Sequence, residues 1–309
     1  MAIVADYRNL SVIVPAFNEE GGVQQTLEAL KKNLPNAEII LVDDCSTDNT
    51  PEMAKKVDGV HILRHRFNRG YGAALKSGMV SSNREHIAWF DADGEHRTED
   101  LQAMFKLLEE RSLGAIIGRR QVKGQQKVRF YGKLVLRLWA RLLGLRLDRD
   151  LNCGLRVFHK EAILPYLNML PDRFSASTTS TMIMLEKKYP IEFFDIRTNP
   201  RIGHSKVRLR HGFETILNIF RISMIFAPLR IYGTLGAVLV VIGFVYGLGM
   251  ALTVDKGFPA FALVVLMAGF FLLAIGAIAD QISRWQLSAA GSHSLDLRRT
   301  PLAEPDGKH

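Results

Sequence analysis

Ile87-Ala88-Trp89-Phe90-Asp91-Ala92-Asp93 runs four apolar residues straight into two carboxylates one residue apart. A short apolar run of this kind reads as a buried strand, so Asp91 and Asp93 are presented where that strand ends. Hard divalent cations, Mg2+ or Mn2+, take oxygen ligands, commonly one or two protein carboxylates completed by water and substrate phosphates. Solvated acids in a turn are the plainer alternative. Outward from this stretch the pattern repeats: strand signals at 10–14, 38–42, 61–63, 86–90 and 113–117 alternate with helical spacing over 22–34, 51–57, 71–80 and 97–111. Such alternation implies an α/β fold, a mostly parallel sheet with helices on both faces. Ligands in these sheets bind outside the carboxyl ends of the strands. That rule gathers residues 15–19, Asp43-Asp44 and 91–93 onto one rim.

The far end of the chain narrows the chemistry. Two long uncharged segments, 231–254 and 258–279, each reach the roughly 20 residues that span a bilayer. With 309 residues, 48% of them hydrophobic, and a net charge of +9, the chain divides into a soluble domain of about 200 residues and a membrane module. Only Asp255, Lys256 and Gly257 separate the spans, so both flanks emerge on one face. Those flanks carry Arg221, Arg230, Arg284, Arg298 and Arg299, which makes that face cytoplasmic. The first ten residues lack the apolar core of a signal peptide. Cys45 and Cys153 offer neither a disulfide framework nor a zinc site, in keeping with a reducing compartment. The expected layout is a catalytic domain over 1–207, an interfacial helix over 208–229, a hairpin over 230–280 and a partly disordered tail over 281–309.

Asp43 and Asp44 open the turn Cys45-Ser46-Thr47-Asp48, where Asp48 or Thr50 suits a helix cap and Asp43 could accept from a nucleobase or ribose. Asn68-Arg69-Gly70-Tyr71-Gly72 is either a phosphate cradle or a plain helix entrance with Lys76 on its surface. Over 127–147, Arg129, Lys133, Arg137 and Arg141 recur every four residues beside apolar neighbours, the pattern of a helix lying on an anionic membrane surface. Residues 213–226 are similar. Either could instead pack on the sheet.

Together the stretches 15–19 (Pro-Ala-Phe-Asn-Glu), 42–48 (Val-Asp-Asp-Cys-Ser-Thr-Asp), 69–72, 91–96 (Asp-Ala-Asp-Gly-Glu-His), 153–156 (Cys-Gly-Leu-Arg) and 201–206 (Arg-Ile-Gly-His-Ser-Lys) resemble the family 2 glycosyltransferases. Within that family the chain is most similar to the polyprenyl-phosphate glycosyltransferases. The resemblance implies a GT-A fold and inverting transfer from a nucleotide sugar to a lipid phosphate. It implies nucleotide contacts from Pro15, Ala16, Asn18, Glu19, Asp43, Asp44, Lys76, Asp91 and Ala92, and a metal held by Asp91, Asp93 and Glu95. Asp150 aligns with an acid proposed as base or orienting group in relatives, and Asp93, Asp150 and Arg120 form the expected catalytic set. Glu95 stands where relatives often have Gln. Cys45 stands where they often have Gly, which asks a residue with a Cβ to take a turn that Gly fills easily.

The acceptor chemistry follows from physical principles. A phosphate monoester has its second pKa near about 6, so at neutral pH it attacks as a dianion without a general base. What remains is alignment, charge neutralisation and help for the departing diphosphate. Arg120, Arg129, Arg201, Ser205 and Lys206 are the candidates for binding phosphate. UDP-glucose is the expected donor, with GDP-mannose second, undecaprenyl phosphate the acceptor, and the bacterial inner membrane the site. A relative that glycosylates a diacylglycerol or ceramide hydroxyl, which needs a base, and a basic membrane scaffold are the alternatives. No nucleic-acid module is recognisable. Gln281-Ile282-Ser283-Arg284-Trp285 matches a Q-x-x-R-W motif of processive synthases but follows the last span, where Arg284 and Trp285 read as an interfacial anchor. Gly233, Gly236, Gly243, Gly247 and Gly249 offer small surfaces for helix packing and so for a homo-oligomer.

Overall fold

The computed structural model describes residues 6–120, 153–173, 175–199, 228–253 and 257–291. The chain separates into two units, one built on a sheet and one on a helical hairpin. In the first, β1 (Leu10–Ala16), α1 (Val23–Asn33), β2 (Glu38–Asp43), α2 (Thr50–Lys55), β3 (His61–Arg64), α3 (Tyr71–Ser81), β4 (His86–Trp89), α4 (Thr98–Glu110) and β5 (Ala115–Arg120) follow in strict alternation. This is the order expected from the periodicity. α1 and α4 reach their places by burying one stripe each, Val23, Leu27 and Leu30 in the first and Leu101, Phe105 and Leu108 in the second.

Beyond β5 the unit adds β6 (Arg156–His159), α5 (Lys160–Ile163), a 3-10 turn (Leu164–Met169), α6 (Ala176–Glu186) and β7 (Ile191–Ile196). The seven strands are ordered β3-β2-β1-β4-β6-β5-β7. All pairings are parallel except those of β6, which runs antiparallel to both β4 and β5. Register sets the rim: Ala16 lies opposite Asp43 and Ile13 opposite Trp89, and continuing the second offset brings Asp91 level with Pro15. Because β6 is reversed, Arg156 pairs with Trp89, and Cys153 and Gly154, which precede it, enter at the carboxyl end of β4.

Among the described residues the second unit contains α7 (Pro228–Thr253) and α8 (Ala260–Gly291). Both are long and apolar enough to cross a membrane, and Val241, Phe244, Phe270 and Phe271 lie exposed along them. The helices meet through glycine. A Cβ on Gly236 would stand 2.8 Å from Gly269 O, and one on Gly247 would stand 2.0 Å from the Phe258 ring. Gly236, Gly243 and Gly247 are therefore used inside the hairpin, while a Cβ on Gly249 would meet nothing within 4 Å among the described residues. α8 continues past the expected hairpin end at 280 and is described as far as Gly291. An Arg284 to Asp280 pair at 2.7 Å, one turn apart, supports that extension. The helix expected over 127–147 and the segment 208–227 lie outside the described residues.

Candidate active site

Four loops at the carboxyl ends of β1, β2, β3 and β4 form the rim, and they are stitched together by side chain to backbone hydrogen bonds. Asn18 has φ 55; its amide donates to Ser46 Oγ at 3.0 Å and its Oδ1 accepts Thr47 N at 2.8 Å. Glu19 N donates to Thr50 Oγ1 at 2.8 Å. Asp48 accepts Thr50 N at 3.0 Å in the turn that leads into α2, whose N-cap position is Asn49. Cys45 takes φ 64, the left-handed turn position anticipated for it. Pro15, Ala16 and Ala92 are buried; Ala16 O accepts Asp44 N at 2.9 Å and Ala92 O accepts Thr26 Oγ1 at 3.2 Å.

Two acids expected at the nucleotide, Asp43 and Asp44, are buried at the rim and make contacts within the domain. Asp43 is fully buried; its Oδ1 accepts Ser46 N at 3.0 Å, and Arg64 Nε stands 3.0 Å from Oδ2, close enough for charge pairing but misaligned for a hydrogen bond. Asp44 accepts Arg69 N at 2.8 Å on Oδ1 and Gly70 N at 2.7 Å on Oδ2, and His65 Nδ1 lies 2.7 Å from its Oδ1. Two backbone amides of a tight turn and the His65 ring engage both oxygens of this carboxylate, so it holds the turn. That turn is a plain helix entrance and not a phosphate cradle. The amino end of α3 is closed by the chain itself, with Gly72 N donating to Arg173 O at 3.2 Å and Ala73 N to Asp172 O at 2.8 Å. Lys76, also expected at the nucleotide, pairs with Asp172 at 2.5 Å.

The loop after β4 carries the acids with which the sequence begins its argument. Asp91 receives Tyr71 Oη–H on Oδ1 at 2.9 Å and sits 3.0 Å from His96 Nε2 through Oδ2. Burial pushes its carboxyl up, but the His96 and Tyr71 hydrogen bonds and the charges of His96 and Arg120 outweigh that and hold it below the usual carboxylate range. Burial pulls the His96 imidazole down, and the bond to Asp91 with the charges of Asp91, Glu95 and Asp93 more than reverses it. Asp93 is buried, and its Oδ1 accepts Glu95 N at 3.0 Å across Gly94, whose φ is 72. That turn carries Glu95 toward β5, where its Oε1 lies 3.5 Å from Arg120 Nη1. Glu95 is thus not brought together with Asp91 and Asp93 as a third oxygen ligand, and no three His, Cys, Asp or Glu side chains form a metal cage among the described residues. Two carboxylates remain, a donor set that suits a hard cation completing its shell with phosphate. Asn199 N donates to Glu95 O at 2.9 Å, which ties the loop to the segment after β7.

Asp150, Arg129, Arg201, Ser205 and Lys206 lie outside the described residues. The site also contains residues to which the sequence reading assigned no role. Tyr71 and His96 grip Asp91, and Gly154 leaves room for it. Arg156, wholly buried, donates from Nε to Cys153 O at 2.9 Å and from Nη1 to Ser180 and Thr181, with Trp89 beneath its guanidinium at 6.0 Å. All four fall within or beside the quoted motifs, which was the available signal.

Comparison with known proteins agrees with this fold. Residues 11–164 match the family described as Glycosyl transferase family 2, and residues 227–285 match the GtrB C-terminal hairpin. The chain is 36% identical over 194 residues to an uncharacterised protein of Methanocaldococcus jannaschii, covering 60% of this chain and 78% of that one. It is 25% identical to the undecaprenyl-phosphate 4-deoxy-4-formamido-L-arabinose transferase of Shewanella sediminis, covering 89% and 87%. A dolichyl-phosphate beta-glucosyltransferase of Trichomonas vaginalis is 25% identical, with 70% and 73% covered. Among solved structures, glucosyl-3-phosphoglycerate synthase from Mycobacterium tuberculosis superposes with a TM-score of 0.56 at 17% identity, over 70% of this chain and 80% of that one. A crystal form of the same enzyme with Mn2+, UDP-glucose and glycerol 3-phosphate gives 0.54 at 15%, over the same shares. These structural likenesses show the GT-A-like fold.

Proposed function

Because this chain belongs to glycosyl transferase family 2 and ends in a GtrB-type membrane hairpin, we propose that it moves a sugar from a nucleotide sugar to a membrane polyprenyl phosphate, with inversion at the sugar carbon. The observation that carries this reading is the joining, in one chain, of a strand-end pair of carboxylates to a membrane anchor. Relatives named for undecaprenyl phosphate and dolichyl phosphate support the acceptor class, and the glucosyltransferase among them supports UDP-glucose as the first donor to try.

Asp91 and Asp93 would hold a divalent cation, Mg2+ or Mn2+, that serves the donor diphosphate. When bound, the cation offsets charge on the departing nucleoside diphosphate. Arg120 adds a fixed positive charge on the same rim, and Asn18 and Glu19 border the nucleoside. The acceptor phosphate is already a dianion, so the protein has to align it and screen it rather than deprotonate it. Arg129, Arg201, Ser205 and Lys206 do that screening, and Asp150 orients the acceptor. Arg230 and Arg284 at the hairpin ends favour a cytoplasmic site.

The test is transfer from radiolabelled UDP- and GDP-sugars to undecaprenyl phosphate by purified full-length protein with Mg2+ or Mn2+, beside Asp93→Ala. A lipid-linked product that needs the metal and disappears in the variant is expected. Transfer only to a lipid hydroxyl, or to nothing, would overturn the acceptor assignment.

A further inference from the structure

The carboxylate of Asp91 is fixed by a chain of contacts that begins two strands away. Asp44 takes the amides of Arg69 and Gly70, 2.8 and 2.7 Å from its two oxygens, and Asn68 Nδ2 donates to its carbonyl at 3.2 Å. On the other side of Tyr71, the amides of Gly72 and Ala73 are clamped by the carbonyls of Arg173 and Asp172. A Cβ on Gly72 would stand 2.0 Å from Pro171 O, so the two backbones are in direct contact. Tyr71 therefore sits between two fixed backbone points, and its ring leaves the helix start in one direction. Its hydroxyl meets Asp91 Oδ1 at 2.9 Å, while His96 Nε2 holds Oδ2 at 3.0 Å.

We propose that Tyr71 is a positioning residue for Asp91, and that Asp44 acts through it, so that the turn after β3 sets the orientation of the carboxylate offered to the cation and donor diphosphate. The inference rests on the transferase reading above. A carboxylate with one donor on each oxygen has lost its rotation about the side-chain axis, and the lone pairs left over point in fixed directions. Partners that orient a ligating carboxylate in this way change metal affinity by about 10- to 100-fold when removed. Tyr71 suits the task because its phenol is a neutral group that donates a single hydrogen bond to Asp91.

Tyr71→Phe removes one oxygen and leaves the ring. Mn2+ binding to full-length protein in detergent, read by electron paramagnetic resonance with and without UDP, is the primary measurement; thermal stability and steady-state kinetics for the sugar donor accompany it. The expected result is about 10-fold weaker Mn2+ binding in the presence of UDP, a lower kcat, and an unchanged melting temperature. Asp44→Asn should weaken Mn2+ in the same direction, and the double variant should lose less than the product of the two, since both act through one contact. If the parent protein binds Mn2+ and transfers sugar while Tyr71→Phe matches it within twofold, the positioning role is wrong. A Tyr71→Phe protein that loses thermal stability and Mn2+ binding together would reduce the residue to packing. Failure of the parent protein to bind Mn2+ or transfer sugar would instead strike the transferase reading.

Discussion

Gly154 and Asp91 are packed so closely that a Cβ on Gly154 would stand 2.2 Å from Asp91 Oδ2. The contact exists because β6 runs antiparallel beside β4, which returns the chain to the rim just where Asp91 leaves it. Gly154→Ala must displace the carboxylate, since the neighbouring backbone is held by Arg156. A shift of about 1 Å at a reacting group can cost about 100-fold in rate, and crowding a packed site costs about 1–3 kcal/mol. The variant is expected to fold with a lowered melting temperature and to lose about two orders of magnitude in kcat. Near-normal turnover would show that Asp91 is not used in the geometry described.

Arg156 makes a different kind of demand. It lies in the middle of the sheet with no exposed surface, and Cys153 O, Ser180 Oγ and Thr181 Oγ1 all accept from it. Methionine fills a similar volume and leaves those acceptors short of a donor, at about 1–3 kcal/mol for each buried group that goes unsatisfied. Arg156→Met should therefore cost about 3 kcal/mol or more in equilibrium unfolding. Lysine cannot reproduce the planar fork, so Arg156→Lys should recover only part of the loss. Full recovery by lysine would mean that the charge matters and the fork does not.

Five strands and four helices of the first unit were legible because short apolar runs bounded by turn residues mark the strands and helical spacing marks the helices, and the rim followed from the rule for parallel sheets. The strand β6 was not. It is four residues long, Arg-Val-Phe-His, and its buried arginine breaks the apolar pattern that marks a central strand. Its insertion between β4 and β5 depends on partners far away in sequence, which no local window contains. The site shows the same division. Asp91 and Asp93 were readable from position alone, whereas the contacts of Asp43 and Asp44 within the domain and the diversion of Glu95 to Arg120 depend on three-dimensional closure. Glycines in the hairpin likewise announced a close helix approach without saying whether the partner was the same chain.

Cys45 was the one backbone conformation anticipated from substitution chemistry. At φ 64 a Cβ is disfavoured by about 1–2 kcal/mol, and glycine returns about 0.5–1 kcal/mol of that through the greater freedom of the unfolded chain. Cys45→Gly is therefore expected to be neutral or stabilising by about 0.5 kcal/mol, and Cys45→Val, branched at Cβ, to be clearly destabilising. Thermal melts of the three proteins give the order directly. Valine at or above cysteine would mean that the turn relaxes out of the left-handed region.

His86 supplies a pH dependence at the opposite end of β4 from the rim. It begins the strand, buried between Phe105 and His159 with ring centroids at 5.4 and 5.1 Å, and among the described residues its Nδ1 has no hydrogen-bond partner. Burial, and then the charge of His159, lower its pKa from the ordinary 6.5, against a smaller opposing pull from Glu85. The folded protein thus binds this proton less readily than the unfolded chain. Stability from His86 is complete above about pH 6.5 and is lost as the pH falls from there through the lowered folded value. Glu109 lines the same cavity with a carboxyl raised by burial and by Asp6 and Glu85, so its contribution runs the other way, growing as the pH falls. Comparing variant with parent cancels that term. His86→Phe should therefore lose less melting temperature between pH 7.5 and pH 5.5 than the parent does. Equal losses in the two proteins would mean that His86 keeps an ordinary affinity for its proton in the fold.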